Sequence, residues 1–127
     1  MTDGKGAILV LDDDDGFRRF LVRALTAAGY RVTDTGKSSE ALELLAGDGK
    51  FDLLISDIQM PGFDPHGINV GNAALGKKDG PKVIYITGDP GHVPNGFVDQ
   101  SRTPILGKPI RAEALIASVA SALKARG

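Results

Sequence analysis

Short aliphatic runs recur along the chain: AILVL at 7–11, YRVTDT at 30–35, DLLIS at 52–56, KVIYIT at 82–87 and TPIL at 103–106. Three of these runs are apolar on successive residues, which suits strands covered on both faces. Helical patterns lie between them. Parallel strands need crossover connections, so this alternation predicts a doubly wound α/β fold with a parallel sheet. The chain has 127 residues, near the usual size of one domain and enough for a single core, so one domain over 1–127 is expected.

The intervening segments differ in quality. Phe17, Phe20, Leu21, Ala24, Leu25 and Ala28 recur at helical spacing, with Arg18, Arg19 and Arg23 on the other side. Gly29 then closes the helix through a left-handed C-cap. A second helix fits 39–47, with Ala41, Leu42 and Leu45 inward and Gly47 as its stop. A final helix over 111–124 buries Leu115, Ile116, Val119 and Leu123, and basic residues close it in keeping with the helix dipole. Glycines and asparagines after the third run leave only a short helix near 67–75. Pro90, Gly91, Pro94 and Gly96 make 88–100 a loop or one broken helical turn.

Composition removes several functions. Fifteen basic residues balance 16 acidic ones, giving a net charge of -1 and no electrostatic case for nucleic acid or a membrane surface. No cysteine is present, which excludes disulfides, thiolate catalysis and Cys-based zinc sites. His66 and His92 do not form a helical pair, which disfavours a histidine-based metal site. No apolar stretch approaches the ~18 residues needed to span a bilayer. The N-terminus lacks the pattern of a signal peptide, so the expected location is cytoplasmic.

In open α/β sheets, ligands bind outside the carboxyl ends of the strands. The first run ends in Asp12-Asp13, the third in Ser56-Asp57, the fourth in Thr87-Gly88, and the fifth leads into Lys108-Pro109. A parallel sheet brings all these groups to one edge. The first of these ends, ILVLDDDDGF, drives four aliphatic residues into four aspartates, whose repulsion and lost hydration something must offset. A solvated acidic loop is one reading. Helix capping by Asp14 or Asp15 accounts for part of the run. A calcium loop of the EF-hand type fails, because counting back from Gly16 puts Leu11 at the first ligand position. A cation site remains, and Asp57 supplies the further acid it needs. Mg2+, typically held by one or two carboxylates with waters and phosphate, suits such a site. Asp57 is then a candidate to form an aspartyl phosphate, with Lys108 and Thr87 placed to meet phosphoryl oxygens.

With these residues in view, the sequence resembles the receiver domain of bacterial response regulators over essentially its whole length. The motifs that carry the resemblance are ILVLDDD with the helix after it, FDLLISDIQMPGFD, VIYITG and LGKP. The resemblance implies a flavodoxin-like, doubly wound five-stranded parallel sheet of order 2-1-3-4-5, the order of the chemotaxis receiver. It also implies a role in two-component phosphorelay signalling. Asp57 would accept a phosphoryl group from a sensor histidine kinase or a histidine phosphotransfer protein. Asp12, Asp13, Asp57 and the backbone carbonyl of Gln59 would hold Mg2+, Thr87 would be the switch hydroxyl, and Lys108 the phosphoryl-binding lysine. The Lys108–Pro109 peptide is implied to be cis. Such a domain is a phosphoacceptor switch and not an enzyme, beyond self-phosphorylation and autodephosphorylation, and its output is an unidentified protein partner.

The sequence departs from the family in three places. Ile105 takes the position that is usually aromatic, so an aromatic swing is not available. The family's fourth helix is degenerate here, replaced by the Pro/Gly-rich 88–100 segment, whose ordering or movement is then the expected response to phosphorylation. The stretch GFDPHG adds two residues to the loop near His66.

Two rival readings use the same residues. A haloacid-dehalogenase-type phosphatase also ends its first strand in Asp-x-Asp, which Asp12 and Asp14 satisfy, and would use Asp12 as nucleophile. The chain is short for that fold, lacks a late acidic pair and leaves Asp57 without a role. A flavodoxin-like cofactor binder needs a glycine-rich or hydroxyl-rich phosphate loop after the first strand, where this chain places acids. A relay shuttle, a stand-alone adaptor and the receiver of a hybrid kinase remain as outputs, with the chain either stand-alone or cut from a longer protein.

Overall fold

The computed structural model describes residues 6–47, 50–57, 80–88 and 105–124. The elements in chain order are β1 (Ala7–Leu11), α1 (Asp15–Ala27), β2 (Arg31–Thr35), α2 (Ser38–Ala46), β3 (Leu53–Asp57), β4 (Lys82–Thr87), β5 (Ile105–Gly107) and α3 (Ala112–Lys124). The five strands form one sheet of order β2-β1-β3-β4-β5, and every neighbouring pair is parallel. This is the flavodoxin-like arrangement. The short helix expected at 67–75, the expected loop beyond Gly88, and Gln59, His66 and His92 lie outside the described residues.

Strand alternation divides the core into two layers. Ile8 and Val10 of β1, Leu53 and Ile55 of β3, and Ile84 and Ile86 of β4 are buried with Leu21 and Leu25 of α1 and Leu115 and Val119 of α3. The intervening residues Leu9, Leu11, Leu54, Val83 and Tyr85 are buried with Ala41 and Leu45 of α2 on the other face. Both faces of β1, β3 and β4 are therefore covered, which explains their unbroken aliphatic sequence. β2 lies at an edge and is mostly exposed, in accord with its mixed sequence RVTDT.

The helices end where local chemistry stops them. Asp14 is the N-cap of α1, and its Oδ1 accepts from the Phe17 N–H at 3.1 Å. Gly29 follows the helix at a φ of 102°, a left-handed conformation that favours glycine, and turns the chain into β2. The Thr35 hydroxyl accepts from the Lys37 N–H at 3.1 Å just before α2.

Boundaries move by one residue at several ends. The most consequential is at β3, whose last residue is Asp57 itself, paired with Ile86 of β4. β5 reaches Gly107, one residue beyond the expected end. One expectation needs correction. Arg18, expected on the other side of the helix with Arg19 and Arg23, is only 18% exposed, because its side chain folds back over the ends of β1 and β2.

Candidate functional site

The sheet order sets the site. β3 lies between β1 and β4, so Asp57 falls between the Asp12-Asp13 pair and Thr87. The far side is tied down by the Lys108 N–H, which donates to the Thr87 carbonyl at 2.8 Å, and the Lys108–Pro109 peptide is cis. Asp12, Asp57 and Thr87 are buried, whereas Asp13 is exposed. The Ser56 hydroxyl turns to the Asp57 carbonyl at 3.0 Å, so it braces the end of β3.

Three carboxylates, those of Asp12, Asp13 and Asp57, each offer an oxygen within 4.8 Å of the others. Neighbouring oxygens around a six-coordinate Mg2+ with ~2.1 Å bonds stand ~3 Å apart, so the three carboxylates would draw closer together to hold such an ion. Lys108 Nζ lies 3.1 Å from Asp12 Oδ2 and 3.2 Å from Asp57 Oδ2. The ammonium also sits 4.6 Å from the centre of the Phe17 ring, a cation–π contact that seats it from the α1 side.

Asp12 is strained electrostatically. It is wholly buried, and burial pushes its carboxyl above the usual value, with Asp13 adding to the shift. The Asp14 N–H, 2.8 Å from Asp12 Oδ1, and the Lys108 ammonium offset this only in part. Oδ2 has Lys108 as an ion-pair partner but no aligned hydrogen bond among the described residues. For Lys108, burial pulls the ammonium down, and Asp12 and Asp57 more than reverse it, leaving the group above its usual value. A buried carboxylate with an under-satisfied oxygen, beside two more hard oxygen donors, fits a small divalent cation.

Two residues of the site were not legible as such. Phe17 follows the helical hydrophobic pattern and reads as core, yet its ring also carries Lys108. Arg18 reaches the carbonyl of Asp12 at 2.7 Å. Its signal in the sequence was faint: an acid on β2, Asp34, followed two residues later by Gly36. Ile105 packs against the α2-side core layer and pairs with Tyr85 in the sheet.

Comparison with known proteins agrees with this geometry. The response regulator receiver domain family matches residues 8–120. The chain is 37% identical over 110 residues to the response regulator receiver protein CpdR of Brucella abortus, covering 86% of this chain and 89% of CpdR. A response regulator receiver protein from Sinorhizobium medicae has a similar structure, with a TM-score of 0.81 at 28% identity, covering 95% of this chain and 96% of that one. The response regulator TrrA of Thermotoga maritima, crystallised with Mg2+ and a beryllium fluoride, gives a TM-score of 0.79 at 27% identity, covering 93% of this chain and 99% of TrrA. The phosphatase reading finds no support among these relatives. With the sheet order, the acidic strand ends and the family match in agreement, the chain belongs to the response regulator receiver domains of two-component signalling.

Proposed function

We propose that Asp57 is the phosphoacceptor of a cytoplasmic switch, and that Asp12, Asp13, Asp57 and the backbone carbonyl of Gln59 hold Mg2+. The observation that carries this reading is the meeting of three carboxylates within 4.8 Å beside one lysine. The donor is a phosphohistidine on a sensor histidine kinase or a histidine phosphotransfer protein, as the family membership suggests. TrrA, solved in complex with Mg2+ and a beryllium fluoride, supports the choice of ion.

The chain's own residues divide the work. An Asp57 carboxylate oxygen forms the new O–P bond while the N–P bond of the donor breaks, and the imidazole leaves with the electron pair. Bound Mg2+ would neutralise charge on the acids and on the incoming phosphoryl group. Lys108 already holds Asp57 Oδ2 at 3.2 Å, so it is placed to follow the charge onto a phosphoryl oxygen. Thr87, at the end of the adjacent strand, offers a hydroxyl to another. Ile105 carries no ring to swing, so the added charge acts on a downstream protein through some other part of the surface. The domain acts as a phosphoacceptor and not as an enzyme with a turned-over substrate of its own.

The test is labelling with acetyl phosphate. The wild-type chain should take up one phosphoryl group in the presence of Mg2+ and none after chelation. Asp57→Asn should not label; undiminished labelling of that variant would overturn the assignment.

A further inference from the structure

We propose that Arg18 is a positioning residue for the acidic site, and that Gly36 is the vacancy that admits it. This inference rests on the cation-binding reading above. All three guanidinium nitrogens of Arg18 are engaged. Nη1 donates to the Asp12 carbonyl at 2.7 Å, Nε to Asp34 Oδ2 at 2.9 Å, and Nη2 pairs with Asp15 Oδ1 at 2.7 Å. One side chain thus joins the end of β1, the edge strand β2 and the first turn of α1. The Asp12 N–H adds a second tie to β2 by donating to the Thr35 carbonyl at 3.2 Å.

The bond to Asp12 is to its backbone, and that determines what Arg18 can do. The Asp12 carbonyl belongs to the peptide plane that carries the Asp13 N–H, so fixing it fixes where Asp13 leaves the chain. Asp13 is exposed, and its side chain makes no hydrogen bond or ion pair among the described residues. Among the described residues its carboxylate is therefore aimed by its backbone, and Arg18 holds that backbone.

Gly36 is needed for space. A Cβ there would stand 2.7 Å from Arg18 Nη1 and 3.5 Å from the Asp12 carbonyl oxygen. The atom in the way is the far end of a flexible side chain, so alanine would expel the guanidinium and leave the backbone largely in place. Gly36→Ala is thus a way to remove the contact while keeping the charge.

Charge and position act in opposite directions, which makes the idea testable. As a cation near the site, Arg18 repels Mg2+, so loss of its charge alone would tighten binding. As a positioning residue it preorganises the ligands, and its loss weakens binding; partners of metal ligands typically contribute on the order of tenfold or more. Calorimetric titration of the wild type, Arg18→Ala, Gly36→Ala and the double variant with MgCl2 separates these effects, with urea unfolding in chelator confirming that each variant is folded. Gly36→Ala, which keeps the charge, should bind Mg2+ about tenfold more weakly; Arg18→Ala should lose less, because the repelling charge goes too, and the double variant should match Arg18→Ala. Unchanged or tighter binding by Gly36→Ala, or additive losses in the double variant, would overturn the proposal. A wild-type chain that binds no Mg2+ would instead overturn the cation-site reading on which it rests.

Discussion

Lys108 Nζ stands 3.2 Å from Asp57 Oδ2 and 3.1 Å from Asp12 Oδ2, so one ammonium bridges the ends of two neighbouring strands. In that position it stabilises two buried acids and competes with any other cation for them. Among the described residues it meets Asp12 just after β1, Asp57 at the end of β3 and the Phe17 ring of α1. The lysine is therefore a fixed part of the site before any phosphoryl group arrives.

Lys108→Met should separate those two roles. Removing the competing charge should tighten Mg2+ binding, on the order of tenfold given partial screening at the pocket mouth. The same change leaves Asp12 buried without its counter-charge and should lower stability in chelator. Calorimetric Mg2+ titration and urea unfolding check the two halves; weaker Mg2+ binding would contradict the competitive role.

On the proposed reading the acidic run divides into two pairs with different tasks. Asp14 caps α1 through Phe17, and Asp15 pairs with Arg18 in the first turn. Asp14→Ala should cost about 1 kcal/mol of stability. Its exposed charge is screened, so Mg2+ affinity should change by about twofold at most. Asp13→Asn should do the reverse, sparing stability and losing about tenfold or more in affinity as a ligand charge is lost. Thermal unfolding and Mg2+ titration of both variants read the division directly.

Much of this site could be read from the strand ends. Asp12, Asp57 and Thr87 each close an aliphatic run, and parallel pairing carries such ends to one edge of the sheet whatever the loops do. Arg18 escaped because a helical wheel groups it with Arg19 and Arg23. Its length, and the missing side chain at position 36, let it turn back to the Asp12 carbonyl just after β1. Phe17 escaped for a different reason: a core-facing position and a ring under an ammonium require the same residue type. A charged residue looks like a strand terminator, so the sequence pattern ends β3 one residue early, whereas Asp57 continues the ladder beside Ile86.

Tyr85 links the core to alkaline stability. Burial pushes its phenol from 10.0 up to about 12. A folded-state value above the unfolded one means that the stabilisation is complete below pH 10.0 and is lost as pH rises toward about 12. The loss should reach roughly 2 kcal/mol. Urea unfolding at neutral pH and near the upper end of that window should show this decline in the wild type and a shallower one in Tyr85→Phe. Equal slopes would show that Tyr85 does not carry the effect.

Asp57 and Asp12 can be told apart as the acid that receives the phosphoryl group. Labelling with acetyl phosphate and Mg2+, followed by borohydride reduction and peptide mapping by mass spectrometry, converts the acyl phosphate into homoserine at the modified position. The expected result is homoserine at position 57, dependent on Mg2+ and absent from Asp57→Asn. Homoserine at position 12, or labelling that persists in Asp57→Asn, would show that Asp57 is not the phosphoacceptor.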